Sequence, residues 1–207
     1  METQISSVFQ DGDRSFLIEK LSPESADLES KMAQALSICD KHLGEGLYSL
    51  ETIEKIIRTK HNYFFIISLG HDIIGIFCCY TIRFSHAAQE LECKGKYLED
   101  NEFVGICRSI AIENAYRASG ISEYLLNMAC DILFKNENAR LIAVPAWIRR
   151  DTGVVPAKKH LESCGFSAAE IIHHPWKKYG DVRCNACHKS PCECDCELYV
   201  KGRYHNG

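Results

Sequence analysis

Apolar positions recur along the chain in two periods, and their alternation sets out the elements. Phe16–Leu21 is a β-type run, after which Ser22 is placed to cap a helix with Pro23 at its first position. Leu28, Met32, Ala35, Leu36 and Cys39 form that helix's apolar stripe, and Gly44 and Gly46 end it. Ser49 opens a second helix with Ile53, Ile56 and Ile57 facing inward. Tyr63–Leu69 and Ile73–Phe84 are β-rich runs separated by Gly70-His71-Asp72, a hairpin signal. Residues 85–102 are polar and irregular, which predicts a surface excursion.

Phe103–Ile112 is a further strand. Strict alternation would put Val104, Ile106, Ile110 and Ile112 on one face, and Gly105, Cys107, Ser109 and Ala111 on the other. Ile121, Tyr124, Leu125, Met128, Ala129, Ile132 and Leu133 recur at helical spacing. Arg140–Val144 is a short buried strand, Val154–Cys164 a helix ended by Gly165, and Phe166–His173 and Glu197–Arg203 are two final strands. The order is β-α-α-β-β-β-α-β-α-β-β. The helix over 117–135 supplies the crossover that a parallel pair needs, while the hairpins imply antiparallel neighbours, so the expected α/β sheet is mixed.

Length fits one α/β domain spanning 1–207. No apolar run reaches the roughly 18–20 residues of a membrane span, so no membrane association is expected. Met1 to Arg14 is polar, so no secretory signal is expected and a cytoplasmic location is. The net charge of −4 is uneven: residues 1–139 carry 13 basic and 21 acidic side chains, residues 140–207 carry 11 and 7. That mild asymmetry argues against nucleic-acid binding, which needs a strongly basic face. A homodimer is compatible with this composition.

The most informative segment is Ile110-Ala111-Ile112-Glu113-Asn114-Ala115-Tyr116-Arg117-Ala118-Ser119-Gly120-Ile121-Ser122. A strand runs into a tight turn and then a helix, with Arg117, Gly120 and Ser122 spaced R-x-x-G-x-S. Small residues admit close backbone approach, and a helix start offers unpaired N–H groups and partial positive charge to an anion. The segment resembles the acetyl-CoA motif of the GNAT acyltransferases, R/Q-x-x-G-x-G/A after an apolar-x-apolar strand end. Leu161-Glu162-Ser163-Cys164-Gly165-Phe166 resembles that family's helix-to-strand ending, and the element order agrees over nearly the whole chain. The resemblance implies the GNAT fold: a mostly antiparallel mixed sheet with a central splayed parallel strand pair, flanked by helices. It also implies an acetyl-CoA-dependent N-acetyltransferase acting on a primary amine. Ile110, Ala111 and Ile112 would run beside the pantetheine arm, and the N–H groups of Ala118, Ser119, Gly120, Ile121, Ser122 and Glu123 would hold the pyrophosphate with Arg117. Glu123 beside an anion is unfavourable unless its carboxylate points away.

The implied reaction needs a neutral amine. Deprotonating an ammonium of pKa about 10.4 at pH 7 costs roughly 4–5 kcal/mol. Glu113, just beyond the strand, is the first candidate base. The family's frequent tyrosine acid is replaced by Leu161, and its asparagine seven residues earlier by Val154. Tyr116 and His160 are candidates to compensate, alongside Tyr124, His173, His174 and Tyr179. A non-catalytic module that senses acyl-CoA or binds protein or RNA is the competing expectation, and Lys177, Lys178, Arg183 and Lys189 around the last cysteines give it some basis.

Twelve cysteines stand out. Seven lie in apolar or mixed stretches and read as small hydrophobes. The other five are Cys184, Cys187, Cys192, Cys194 and Cys196, and without an export signal such crowding favours a metal over disulfides. Zinc held by Cys184, Cys187, Cys192 and Cys194 is the expectation, because Cys196 already belongs to the last strand. His188 is an alternative ligand, and an iron–sulfur cluster or a C-x-x-C redox relay are alternative uses. The cluster lies in a loop over 175–196 between the last two strands, where zinc would order one wall of the acceptor pocket.

Overall fold

The computed structural model describes residues 5–95 and 102–203. Eight strands form one sheet in the order β1-β2-β4-β5-β6-β7-β10-β8. These are β1 (Ser6–Asp11), β2 (Arg14–Lys20), β4 (Asn62–Leu69), β5 (Asp72–Arg83), β6 (Phe103–Ile112), β7 (Leu141–Ile148), β8 (Ser167–Ile172) and β10 (Asp195–Gly202). Two short strands, β3 (Gly44–Glu45) and β9 (Arg183–Cys184), pair separately. All pairs in the large sheet are antiparallel except β6 with β7. Helices α1 (Leu28–His42) and α2 (Leu50–Arg58) cover one face with α3 (Phe84–Leu91); α4 (Ile121–Asp131) and α5 (Lys158–Ser163) cover the other. No described helix is long and apolar enough to cross a membrane.

The period-3.6 stripes are buried as expected. On α4, Ile121, Leu125 and Ala129 pack with Phe65, Phe77 and Leu133; on α2, Ile53, Ile56 and Ile57 pack with Ile66 and Ile76. Ser49 caps α2, accepting the Thr52 N–H at 3.1 Å. Ser22, by contrast, does not cap α1. It closes a turn instead, with the Ser25 N–H on its carbonyl at 3.0 Å and its own N–H on Ser25 Oγ at 2.9 Å. The helix starts at Leu28, after Asp27 in the left-handed region.

Other boundaries move for physical reasons. β1 pairs with β2 through a two-residue Gly12-Asp13 turn, and its Phe9 packs on Phe16 and Tyr124. The segment after Phe84 begins as α3, burying Phe84, Ala87 and Leu91; residues 96–101 of the expected excursion lie outside the described residues. α5 is only Lys158–Ser163, because the residues before it turn back so that Val154 O accepts the Arg149 N–H at 2.9 Å. β7 runs through Pro145 to Ile148 rather than stopping at Val144. A proline lacks an N–H and is tolerated where the ladder has already opened, and the last β6–β7 pair is Ile106↔Ala143.

The alternation in β6 breaks at Arg108. Cys78 faces Ser109 and Cys79 faces Cys107, so Arg108 is an extra, bulged residue. Val104 and Ile106 face the α3 side, whereas Cys107 and Ile112 join the α4-side core and Ala111 the α1 side. The two faces expected from strict alternation are therefore exchanged beyond the bulge.

Candidate functional site

The site begins where the sheet opens. Past Ile106↔Ala143, β6 stays with β5 as far as Ile112↔Gly75, and β7 stays with β10 as far as Ile148↔Asp195. The strands part, and the β7-facing edge of β6 has no strand partner from Cys107 onward. A cavity of about 360 Å³ fills the opening. Ile110, Ala111 and Ile112 form one wall, and Arg117 and Ser122 lie at one end. Cys184, Ala186 and Cys192 close another side, so the cysteine loop borders the same space.

The turn that follows β6 is open to an anion. Asn114–Tyr116 form one 3-10 turn, and Gly120 caps α4 with φ of +82°, a conformation L side chains rarely adopt. Ser119 is tied down by its hydroxyl, which donates to Tyr116 O at 2.8 Å. Ser119 Oγ accepts the Ile121 N–H at 3.4 Å, while among the described residues the N–H groups of Ala118, Gly120 and Ser122 meet no acceptor. Three such orphan donors with the helix dipole behind them suit a phosphate. Glu123 does not face that space; its carboxylate bonds His160 Nδ1 on α5. Burial acts to raise the Glu123 carboxyl, but the His160 hydrogen bond, a backbone hydrogen bond and the His160 charge together outweigh it and the net shift is downward.

Arg117 reaches backward. Its Nε donates to Ile112 O at 2.9 Å, and Nη2 meets His42 Nδ1 at 2.9 Å. His42 borders the cavity, and its Nε2 lies 3.2 Å from Glu113. Lys41 Nζ adds two contacts of 2.7 Å to the same carboxylate. Lys41 and His42 hold the Glu113 carboxyl below its usual range, while burial holds His42 down as well. His42 is a site residue that helical periodicity could not reveal, since it sits at the last turn of α1.

The three catalytic candidates separate. His160 lines the cavity beside the buried Leu161. Glu113 does not border it, and its carboxylate is already committed to Lys41 and His42. Tyr116 packs edge-on against Phe16, with Arg14 over its ring, and also lies away from the cavity.

The loop between β8 and β10 brings Cys184, Cys187, Cys192 and Cys194 together, with all four sulfurs within 4.8 Å of one another. Cys184 and Cys194 are 3.8 Å apart, Cys187 and Cys192 3.9 Å. A tetrahedron of thiolates about 2.3 Å from one ion has edges of about 3.8 Å, so the donor set fits zinc. Backbone N–H groups of Ala186 and Cys187 point at Cys184 Sγ, and that of Cys194 at Cys192 Sγ, each at 3.4 Å. Cys196 is buried toward α3, outside the group, and His188 is not part of it either.

The loop is anchored to the rest of the chain. β9 pairs with β3, and Asn185 Nδ2 donates to Asp40 O at 2.8 Å and Lys41 O at 2.9 Å. These carbonyls belong to the open end of α1, so Asn185 satisfies groups the helix itself cannot. Of the loop's basic residues, Lys178 pairs with Glu92 and Lys189 with Glu193.

No family model matches the sequence, and no curated protein matches it. Solved structures do match its fold. NAA60 of Arabidopsis thaliana, in complex with acetyl-CoA, is similar at a TM-score of 0.64 and 11% identity, over 91% of this chain and 99% of that one. The ribosomal-protein-S5-alanine acetyltransferase of Vibrio fischeri is similar at 0.58 and 14%, over 96% of each chain. An acetyltransferase of the GNAT family from Streptococcus pneumoniae is similar at 0.58 and 15%, over 91% and 99%. The splayed parallel pair within a mostly antiparallel sheet is thus the GNAT fold.

Proposed function

We propose that the chain is an N-acetyltransferase that moves an acetyl group from acetyl-CoA to a primary amine. The observation that carries this reading is the opening between β6 and β7, whose cavity runs to a helix start with unpaired N–H groups. The unpaired β6 edge at Ile110–Ile112 offers backbone partners to the amide-bearing pantetheine arm. The free N–H groups of Ala118, Gly120 and Ser122 hold the pyrophosphate, as a helix N-terminus does for phosphates generally, while those of Ser119 and Ile121 are already bonded to Tyr116 O and Ser119 Oγ. His160 supplies a proton to the departing thiolate, because it borders the cavity and is oriented by Glu123. Glu113 acts on the turn: with His42 it fixes Arg117, and it is not the group that meets the amine.

Cys184, Cys187, Cys192 and Cys194 hold one zinc ion in this reading. Four thiolates saturate a tetrahedral ion, which leaves no open position for chemistry. The ion's role is to order residues 175–196, whose side chains wall the cavity, and a structural site contributes on the order of 10 kcal/mol of apparent binding energy to that.

The test is thiol release from acetyl-CoA with a panel of primary amines, alongside calorimetric titration of acetyl-CoA. Micromolar acetyl-CoA binding with amine-dependent thiol release is expected. Absence of acetyl-CoA binding would overturn the reading; binding without turnover on any amine would favour a sensing module.

A further inference from the structure

A second, smaller cavity adjoins the first across the split. It measures about 50 Å³, room for a few water-sized groups, and lies on the α3 side of the sheet. Arg108, Ser109, Pro145 and Trp176 border both spaces. Arg108 is the bulged residue of β6, so the bulge places its side chain at the passage between them. Its guanidinium carbon stands 5.6 Å from the Tyr48 ring centre and 5.8 Å from that of Tyr179. Tyr48 is fixed in turn by donating to Ser109 Oγ at 2.8 Å. Among the described residues no hydrogen bond or carboxylate reaches the Arg108 guanidinium, although it is half-buried. A cation held between two rings without an anion beside it is arranged for one that arrives.

The same small cavity carries the opposite charge. Glu90 borders it, with Oε1 accepting the Tyr80 hydroxyl and no described partner on Oε2. Resting on the acetyltransferase reading above, we propose that this cavity takes a small acceptor bearing a carboxylate next to its primary amine, an α-amino acid in class. Arg108 binds the carboxylate by its fork of N–H donors, and Glu90, braced by Tyr80, binds the ammonium. A protein N-terminus or a lysine side chain offers the ammonium but no adjacent carboxylate, and would leave Arg108 unpaired.

In the transfer, the bound ammonium sheds one proton through Glu90 to solvent. The nitrogen lone pair then attacks the thioester carbonyl carbon, a C–N bond forms and the C–S bond breaks. The sulfur takes a proton from His160, which regains one from the nitrogen. One acetyl group moves, one CoA thiol forms and one proton is released.

The experiment compares glycine and L-alanine with glycinamide, L-alaninamide and an Ala-initiated peptide in the thiol-release assay, for the wild type, Arg108→Met and Glu90→Gln. A charged hydrogen-bond pair predicts a preference for free acid over amide of about 10- to 100-fold in kcat/KM. Arg108→Met should bring that ratio to near one, and Glu90→Gln should raise KM for the acids. Amides or peptide used as well as the acids by the wild type would overturn the proposal, as would a preference that survives Arg108→Met. If acetyl-CoA binds but no acid is bound or acetylated, the proposal falls while the cosubstrate site stands. If acetyl-CoA does not bind, direct titration of the amino acids decides the proposal, and their failure to bind ends it too.

Discussion

Gly120 carries the turn's geometry in a single residue. Its φ of +82° would be strained in any L residue, although only Phe9 Cζ, at 3.8 Å, stands near the position of an added β-carbon. Gly120→Ala should therefore cost about 1 kcal/mol of stability with no clash. Gly120→Glu adds a negative charge at the phosphate cradle and should abolish acetyl-CoA binding by calorimetry while circular dichroism still reports a folded chain. Glu113→Gln separates two roles. A base would be missed more at pH 7 than at pH 9, whereas a carboxylate that holds His42 and Arg117 should raise KM for acetyl-CoA several-fold, equally at both. Proton linkage at this cluster has one sign. His42 and Glu113 both titrate lower when folded, so each stabilises less as pH falls: His42 below its usual value near 6.5, Glu113 below about 4.5. Thermal melts should decline from about pH 6.5 downward, and His42→Gln should flatten the upper part of that decline.

Between elements, the contacts that keep the sheet open were legible in part. The R-x-x-G-x-S spacing and the stripe of α4 marked the turn after β6 and its helix in advance, because both are local signals. The bulge at Arg108 was not legible. It arises from the pairing of β5 with β6, and nothing in Gly105-Ile106-Cys107-Arg108-Ser109 distinguishes it from an even strand. α3 left a signal that a polar average hides, the i, i+3, i+7 spacing of Phe84, Ala87 and Leu91. β7 runs on past Val144 through Pro145, which stands on an edge that needs no donor. Gly75 shows how closely the elements fit. A β-carbon there would come within 2.5 Å of Ile112 Cδ1 and 2.8 Å of Ala111 O, a backbone atom that cannot swing aside. Gly75→Ala should destabilise by ~2 kcal/mol and lower Tm by roughly 4–8 °C. Because it pushes on the strand that lines the cavity, acetyl-CoA affinity should fall with it.

At the scale of the whole molecule, the four cysteines could be assigned from spacing, but not what they reach. Metal analysis should give about one zinc per chain by the four-ligand count. Cys187→Ser should lower that content and open residues 175–196 to protease. The larger effect follows from Asn185, which follows Cys184 directly and grips the last carbonyls of α1. Lys41 and the residue after it, His42, hold Glu113 and Arg117 at the turn after β6. On the proposed function, metal and acetyl-CoA would be joined through one short run of contacts, and free-energy coupling between two binding sites is reciprocal. Whatever factor zinc lends to acetyl-CoA affinity, acetyl-CoA lends to the retention of zinc. A saturating supply of acetyl-CoA should slow metal extraction by a chelator, and Asn185→Ala should make extraction indifferent to it. The chain would then register two supplies at once, a thiol-seeking metal and an activated two-carbon unit, and give up its hold on the first when the second runs short.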